Sequence, residues 1–311
     1  MSVLALTLTA GLSLTACGSD DGGSTGADGS ATPTAAPIVV ATTNFTETKI
    51  LAHIYADVLA KAGQPASVKE LTTREVIAPA LEKGEIQATP EYLGSLTEYL
   101  NKAANGADAP QVASGDVEAT LTQARKLAEA RNITLLEPSK AQDQNAFAVT
   151  KEFAETNNLT TLSDLATYSA SNSVVLGGPP ECPKRPFCQE GLESVYGMKI
   201  EKFVPLDSGG PLTIQAVKQG TINLATVFSS SAAVSANDLV ILTDDKSWQT
   251  AENVLPAVHT AAVTDTITEA LNSVSAVLTT EDLQALNAQV EVDRKDPAAV
   301  ATQYVQEKGL G

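Results

Sequence analysis

Residues 38–63, IVVATTNFTETKILAHIYADVLAKAG, contain a strand-then-helix pattern that recurs along most of the chain. The apolar run from Ile38 to Ala41 predicts a buried strand. Apolar residues then recur at helical spacing and stop at Gly63, which predicts an amphipathic helix that ends at a glycine. Asn44 is positioned to cap this helix, and Glu47 lies in its first turn.

The same alternation of apolar runs and amphipathic stretches continues beyond this first pair. Further strands are predicted at Val68 to Leu71, Glu85 to Ala88, Ile133 to Leu136, Ala146 to Val149, Ser173 to Leu176, Ile200 to Val204, Ile222 to Thr226, Leu239 to Leu242 and Leu255 to Val263. Three helices are predicted to follow, at Ile267 to Leu278, Glu281 to Val290 and Pro297 to Lys308. Alternating strands and helices predict an α/β fold with parallel sheets covered by helices on both faces.

Composition limits the size of the fold and the class of partner. Of the 311 residues, 43% are hydrophobic, and the part from Ile38 onward is long enough for one large domain or two medium ones. The net charge is −17, with only 20 Lys plus Arg. This balance argues against nucleic acid or an anionic lipid surface as partner, because both attract clustered positive charge. It favours cationic or zwitterionic ligands.

The first 37 residues resemble an export signal followed by a tether. An apolar run from Val3 to Leu14 leads into Leu14-Thr15-Ala16-Cys17, which resembles a bacterial lipoprotein signal in which Cys17 is acylated. No Lys or Arg precedes the run, so only the terminal amine supplies positive charge there. The alternative is a buried N-terminal helix. Residues 18–37 consist of Gly, Ser, Asp, Thr, Ala and Pro and predict a disordered linker.

Two further cysteines lie close together in sequence. Cys182 and Cys188 are separated by five residues, and in an exported chain such a pair predicts a disulfide. Metal binding is the alternative. It is disfavoured because a structural zinc site needs four ligands and neither His53 nor His259 is near in sequence.

Signatures of catalysis are missing from the sequence. Gly177-Gly178-Pro179-Pro180 and Gly209-Gly210 have neither dinucleotide-binding nor P-loop spacing and are predicted to be turns. His53 falls off the apolar face of its helix, and His259 lies in an apolar run, which favours a hydrogen-bonded core residue over a general base. No cofactor is predicted, and an exported enzyme is the minority hypothesis.

Several short motifs carry a family resemblance. They are Thr43-Asn44-Phe45-Thr46-Glu47, Leu81-Glu82-Lys83-Gly84-Glu85-Ile86, Pro90-Glu91-Tyr92-Leu93-Gly94-Ser95, Phe147-Ala148-Val149, Leu162-Ser163-Asp164-Leu165, Arg185-Pro186, Gln215-Ala216-Val217-Lys218-Gln219-Gly220 and Leu278-Thr279-Thr280-Glu281. Their order resembles that in substrate-binding proteins of the glycine betaine, choline and carnitine ABC transporters, and the resemblance covers Ile38 to Leu310.

This resemblance implies a type II periplasmic-binding-protein-like fold, in which two α/β lobes are joined by two crossover strands with a ligand cleft between them. Lobe one is expected to comprise residues 38–143 plus 251–311, and lobe two residues 144–250. The expected crossovers are Ala146 to Val149 and Leu255 to Val263. The implied mechanism is closure of the hinge around a small solute, which an extracytoplasmic, lipid-anchored monomer delivers to a membrane permease.

The resemblance also implies which residues bind the solute. They are Asn44, Thr46, Tyr92, Ser95, Asn145, Phe147, Arg185 and Phe228. Tyr92 matches a tyrosine of the aromatic cage that holds a quaternary ammonium group, and Ser95 replaces the usual threonine three positions on. Arg185 matches an arginine that pairs with a carboxylate. Asn44 and Thr46 lie at a helix N-terminus, where unpaired amides make a polar wall.

The remaining matches are uneven and leave the ligand open. Asn145 and Phe147 occupy positions of a polar residue and a cage tyrosine, and Phe228 is the only aromatic residue near the cage position of lobe two. Thr43 replaces a common lysine, and no tyrosine occurs at residues 251–253. Because each cation–ring contact contributes about 0.5 to 2 kcal/mol, the loss of two rings weakens ammonium binding.

Other interpretations of these positions stay open at this stage. Tyr92, Phe147 and Phe228 are also compatible with packing alone, and Arg185 with a solvated loop charge. A larger uncharged or aromatic solute is the alternative ligand. An enzyme on the same two-lobe fold and an exported sensor that docks on a receptor are the alternative functions.

Overall fold

Two five-stranded sheets form the framework of the computed structural model, which describes residues 37–180, 182–207 and 209–311. The predicted signal segment with Cys17 and nearly all of the predicted linker lie outside the described residues. The strands are β1 (Ile38–Thr42), β2 (Ala66–Glu70), β3 (Ala88–Tyr92), β4 (Ile133–Leu135), β5 (Asn145–Thr150), β6 (Val175–Gly178), β7 (Lys202–Pro205), β8 (Leu224–Phe228), β9 (Leu239–Ile241) and β10 (Val254–His259).

Helices connect these strands and cover the sheets. They are α1 (Thr46–Lys61), α2 (Arg74–Glu82), α3 (Leu93–Asn105), α4 (Val117–Glu129), α5 (Lys151–Asn157), α6 (Leu162–Ser169), α7 (Gln189–Tyr196), α8 (Pro211–Lys218), α9 (Ala232–Ala236), α10 (Asp265–Val277), α11 (Thr280–Glu291) and α12 (Pro297–Glu307). Short 3-10 turns lie at Cys182–Lys184 and Thr260–Ala262. The predicted alternation of strands and helices, and the three C-terminal helices, are confirmed.

Each sheet is mixed, and the prediction of purely parallel sheets is therefore wrong. The first sheet has the order β2-β1-β3-β10-β4, in which β1 is parallel to β2 and β3 while β10 is antiparallel to both of its neighbours. The second has the order β7-β6-β8-β5-β9, in which β5 is the antiparallel strand. Both antiparallel strands follow a segment that comes from the other sheet, so neither belongs to a βαβ unit.

The chain crosses between the sheets just before β5 and just before β10. There the two crossing segments run side by side: Gln142 pairs with Asn253 in an antiparallel bridge, and the Asp143 amide donates to the Glu252 carbonyl at 3.2 Å. The predicted crossovers at 146–149 and 255–263 instead lie mostly inside the sheets, as β5 and β10. Each sheet with its covering helices forms one lobe, so the expected two α/β lobes are confirmed.

One strand begins where its prediction ended. The predicted strand at Glu85 to Ala88 is observed at Ala88–Tyr92, and it contains a proline, a residue that usually argues against an interior strand. Pro90 lies directly opposite Pro256 of β10. In an antiparallel pair, directly opposite residues either exchange both hydrogen bonds or exchange none, so two facing prolines fit a pair that exchanges none.

Helix α1 lies at the centre of the first core. Its predicted apolar face is buried, with Ile54, Val58 and Leu59 fully inaccessible, and it packs against α10, α11 and α12. Asn44 does not cap it. The N-cap residue is Phe45, and the Thr43 hydroxyl accepts a hydrogen bond from the Phe45 amide at 3.2 Å, which organises the turn.

Candidate functional site

A cavity of about 300 Å³ opens at the carboxyl ends of β1 and β3, in the first sheet. Ligands of open α/β sheets bind outside these ends, because the loops there leave backbone groups unpaired. Its lining includes Asn44, Phe45, Arg74, Glu91 and Tyr92.

An ion pair lies at the base of this cavity. Arg74 Nη2 donates to Glu91 Oε2 at 2.7 Å and Arg74 Nε donates to Glu91 Oε1 at 3.0 Å, so the guanidinium is held in a bidentate pair. The Glu91 side chain is almost fully buried. The pair therefore fixes the end of β3 against α2 and leaves the cavity wall close to electrically neutral at this point.

Tyr92 is tied to a buried acid beside the cavity. Its hydroxyl donates to Glu47 Oε1 at 2.6 Å, and the other carboxylate oxygen, Oε2, accepts from Asn287 Nδ2 at 2.7 Å. Asn287 Nδ2 also reaches the Ser230 carbonyl at 3.1 Å, and the Ser230 hydroxyl donates to Asp143 Oδ1 at 2.8 Å. These five residues, the Glu47 cluster, link the first sheet, the crossing segment and the second sheet.

Burial shifts the protonation equilibria of the Glu47 cluster. Burial and, after it, the charge of Asp143 raise the pKa of Glu47 while the hydrogen bonds from Tyr92 and Asn287 lower it, and the net result is a rise from 4.5 to about 7. Burial also raises the pKa of Asp143. The pKa of the Tyr92 hydroxyl lies well above its usual value, because of burial and of the neighbouring Glu47 and Asp143. Tyr92 is therefore a hydrogen-bond donor at any physiological pH.

Ser95 is directed into the protein rather than into the cavity. Its amide donates to Glu252 Oε2 at 3.0 Å and its hydroxyl donates to Glu252 Oε1 at 2.9 Å. Burial raises the pKa of Glu252. Position 252 is one of those where the resemblance leads one to expect a tyrosine, and here a carboxylate joins the start of α3 to the crossing segment.

Two predicted residues meet at one end of the second sheet. Asn145, at the start of β5, lies directly opposite Phe228, at the end of β8. Asn145 is exposed, and Phe228 is 40% exposed, an unusual state for a large apolar side chain next to a buried strand. An exposed ring and an amide at the carboxyl end of β8 are suited to contact a ligand.

Phe147 lies in the core of the second sheet. It is 1% exposed and stacks on Trp248, with ring centroids 5.9 Å apart and planes inclined by 15°. Its neighbours on β5 alternate between the two faces of the sheet, and Phe147 faces the side that α6 and α7 cover.

The predicted disulfide is confirmed, since Cys182 and Cys188 are bonded. Arg185 is exposed within the loop that the disulfide closes. The loop is held against the second core, because Trp248 Nε1 donates to the Pro186 carbonyl at 3.1 Å. The disulfide and this hydrogen bond therefore restrain the backbone around Arg185.

Sequence reasoning missed several residues of this region. Phe45, which is 42% exposed, stands at the N-cap of α1 beside Asn44 and Thr46, both at least partly accessible. An apolar ring directly after a strand and directly before a helix is the signal that could have identified it. The Arg74–Glu91 pair carried no such signal. Glu91 lies in one of the short motifs, but nothing in the sequence pairs it with Arg74, which is 17 positions away.

A larger cavity of about 660 Å³ lies elsewhere, between α8, α9 and the end of α11. Its lining is mainly apolar and contains no aromatic side chain and none of the predicted site residues. Its lining includes one acid, Glu291, but no ring that could form an aromatic cage for an ammonium group, so the cavity beside Tyr92 is the better candidate for the functional site.

Two α/β lobes, with a cavity at the carboxyl ends of β1 and β3, are typical of solute-binding proteins. The described part of the chain contains no helix long and apolar enough to cross a membrane. Comparison with known families gives the particular class. Residues 36–307 match OpuAC, the substrate-binding domain of ABC-type glycine betaine transport systems, and the chain belongs to this family.

Individual relatives agree with this assignment. The chain is 29% identical to the glycine betaine-binding protein YehZ of Escherichia coli over 88% of its own length and 92% of the relative. Its structure resembles that of apo YehZ with a TM-score of 0.78 at 28% identity, over 89% of this chain and 100% of the other. It is also 26% identical to the ergothioneine transport permease/ergothioneine binding protein EgtU of Helicobacter pylori, of which it spans 48%.

The protein is therefore an extracytoplasmic substrate-binding component of an ABC importer. Its task is to bind a small solute for import, and its partners are that solute and a membrane permease. Membership of a transporter family implies binding rather than catalysis.

Proposed function

We propose that the protein binds a small quaternary ammonium solute, such as glycine betaine, choline or carnitine, between its two lobes. The observation that carries the proposal is the position of Tyr92, whose ring lines the cavity while its hydroxyl is fixed on Glu47. A ring held in this way presents its face as a rigid surface for a cation. The names of the family and of YehZ support the same solute class.

The second lobe is proposed to supply the opposite wall. Phe228 and Asn145 would contact the solute from the end of the second sheet, and Arg185 would pair with a carboxylate where the solute has one. Asn44 and Thr46 would contribute polar contacts from the first lobe. Support comes from the exposure of Phe228 and Arg185, since an exposed ring and a charge on one lobe can be covered when the lobes close.

The lobes are proposed to comprise residues 38–143 plus 251–311 and residues 144–250. The Gln142–Asn253 bridge supports this division, because it lies where the two crossing segments run together. Two short connections that run side by side in opposite directions suit a hinge. A solute held by both lobes has a higher affinity for the closed form, and this difference drives closure before delivery to the permease.

We further propose that the mature protein is a monomer anchored to the outer face of the membrane through a lipid on Cys17. The motif Leu14-Thr15-Ala16-Cys17 and the polar residues 18–37 support the anchor, and the family supports the extracytoplasmic location. Mass spectrometry of the mature N-terminus tests it. A diacylated Cys17 is expected, with Cys17→Ala unprocessed, and a lipid-free N-terminus downstream of Cys17 would contradict it.

A larger aromatic solute is the second candidate. The similarity to a protein named for ergothioneine favours it, as do the two exposed phenylalanines, Phe45 and Phe228. Titration calorimetry of the purified protein against glycine betaine, choline, carnitine, ergothioneine and an unrelated sugar tests both. Saturable binding of one of the first three supports the quaternary ammonium class. Ergothioneine carries a trimethylammonium group as well as an aromatic ring, so its binding alone would favour the larger aromatic solute within the quaternary ammonium class, and binding of the sugar alone would contradict both.

A further inference from the structure

Glu47 is a buried acid, and among the described residues no lysine, arginine or histidine forms an ion pair with it. Its side chain is 1% exposed, and in the described part of the chain its carboxylate accepts hydrogen bonds from a phenol and an amide, those of Tyr92 and Asn287. Asp143 adds a second carboxylate, bonded through the Ser230 hydroxyl. A buried acid beside a partly buried one, with no basic partner among the described residues, is less costly when the pair holds a proton, because burial penalises each charge and the charges repel.

The surroundings of Glu47 provide an acceptor for such a proton. Asn287 uses its amide nitrogen for Glu47 and for the Ser230 carbonyl, which leaves its Oδ1 buried and without a donor. A buried amide oxygen rarely stays without a donor. A carboxylic acid in the cluster has an O–H to donate, whereas two ionised carboxylates have none.

We propose that Glu47 is a positioning residue that holds a proton in the unliganded protein and releases it when a cationic solute binds against Tyr92. This inference rests on the solute class proposed above. It assigns to Glu47, rather than to a residue that touches the solute, the control of how strongly the Tyr92 ring attracts a cation.

The titratable groups that face Glu47 are few. Asp143 faces it from the crossing segment and Tyr92 from β3, while α11 contributes the neutral Asn287. Glu91 acts on Tyr92 from the same strand but is paired with Arg74. Asp143 raises the pKa of Glu47, and so does burial. A cation over the Tyr92 ring is therefore the added charge that can reverse this preference.

The proton balance of the release step is simple. The carboxylic O–H of Glu47 dissociates, the electron pair stays on the carboxylate, and the proton passes to water, with no covalent bond to the solute and no redox change. Tyr92 keeps its own proton. The ionised Glu47 then accepts a charge-assisted hydrogen bond from Tyr92, which is stronger than the neutral one and increases the negative charge at the ring.

Linkage makes the effect reciprocal. If a cation lowers the affinity of Glu47 for its proton tenfold, loss of the proton raises the affinity for the cation tenfold. For a group that titrates near pH 7 in the free protein, we therefore expect the affinity for choline to rise by about fivefold between pH 6 and pH 8, as part of the full tenfold range. Glycine betaine, whose carboxylate offsets part of its charge, is expected to show a smaller rise.

Two measurements test the proposal on the full chain. The first is a ¹³C NMR titration of glutamate side chains without solute, in the wild type, in Glu47→Gln and in Glu118→Gln, an exposed glutamate on α4 that serves as the control. One carboxyl is expected to titrate near pH 7, in agreement with the raised pKa of Glu47. Its resonance should be absent from Glu47→Gln and present in the control.

The second is calorimetry with choline chloride at pH 7 in phosphate and in Tris, whose different heats of protonation report the protons released. Release of a substantial fraction of one proton is expected for the wild type and Glu118→Gln, and none for Glu47→Gln, whose affinity should not change with pH. No release in the wild type, or equal release in Glu47→Gln, would overturn the proposal.

The NMR titration and the calorimetry separate the role of Glu47 from the proposed solute class. If no quaternary ammonium compound binds at any pH, the solute class is wrong and the release step is wrong with it. The titration without solute still decides whether Glu47 holds a proton. If choline binds but no glutamate titrates above pH 6, the solute class stands and the role of Glu47 is overturned.

Discussion

The Tyr92 hydroxyl donates to Glu47 Oε1 at 2.6 Å, and this bond joins the last residue of β3 to the first turn of α1. The acid thus orients the tyrosine from behind while the ring lines the cavity. Because Asn287 also connects Glu47 to the Ser230 carbonyl, the orientation of Tyr92 depends on contacts that span both lobes. Removal of the Tyr92 hydroxyl and removal of its ring are therefore expected to have different effects.

The ring and the hydroxyl of Tyr92 should contribute separately. Tyr92→Phe keeps the ring and removes the bond to Glu47, so we expect a loss of about 1 kcal/mol in the free energy of unfolding and a choline affinity that no longer rises with pH. Tyr92→Ala also removes the ring, and choline affinity should fall at least about tenfold if one cation–ring contact is lost. Urea unfolding and calorimetry measure the two effects. Equal affinity of Tyr92→Ala and wild type would mean that the solute does not contact Tyr92.

The stability of the protein should depend on pH through Glu47. Because burial raises the folded-state pKa of Glu47 to about 7 from an ordinary 4.5, its contribution is complete below pH 4.5 and is lost as pH rises through 7. A shift of this size corresponds to about 3 kcal/mol in the free energy of unfolding. Glu47→Gln should lack this part of the decrease between pH 5 and pH 8.

Urea unfolding of the wild type, Glu47→Gln and Glu118→Gln across this pH range is the measurement. The Glu118→Gln control should retain the wild-type slope, because its side chain is exposed. Asp143, whose pKa is also raised by burial, should leave a smaller decrease in Glu47→Gln. Parallel pH profiles of all three proteins would show that Glu47 does not hold the proton.

Local sequence patterns predicted the elements but not the direction of two strands. An apolar run such as that of β10 specifies burial, and burial is the same whether the strand runs parallel or antiparallel to its neighbour. The direction of β10 depends on where the chain enters the sheet after crossing from the second lobe. That is a property of the whole topology, which no window of sequence contains.

The candidate site was predictable only where it belonged to a motif. Tyr92, which lines the cavity, was predicted because a short sequence pattern surrounds it, but the partner of Glu47 on α11 is 240 positions away in sequence. Residues this far apart become neighbours only when α1 and α11 pack together. Phe147 shows the opposite case: its motif was recognised, while its stacking on Trp248 depended on the fold.

The disulfide should matter more for the loop than for the fold. Replacing both Cys182 and Cys188 with serine removes a short closed loop, whose constraint contributes about 2 kcal/mol in the chain-entropy model. The loop also carries Arg185, so solute affinity should decrease while the second lobe stays folded. Circular dichroism and calorimetry compare the two effects. An unfolded double variant, or one with unchanged affinity, would contradict this expectation.

Arg185 should discriminate between solutes by their carboxylate. If its guanidinium pairs with a carboxylate in a closed, water-poor cleft, Arg185→Ala should weaken glycine betaine or carnitine binding by about 1.5 to 3 kcal/mol and leave choline binding unchanged. Arg185→Lys should restore part of the loss, since a lysine keeps the charge but not the bidentate geometry. The neighbouring exposed Lys184, as Lys184→Ala, is the matched control for loss of one positive charge. An equal effect of Arg185→Ala on choline and on glycine betaine, or an equal effect of Lys184→Ala, would show that Arg185 acts through the general charge of the lobe and not through a carboxylate contact.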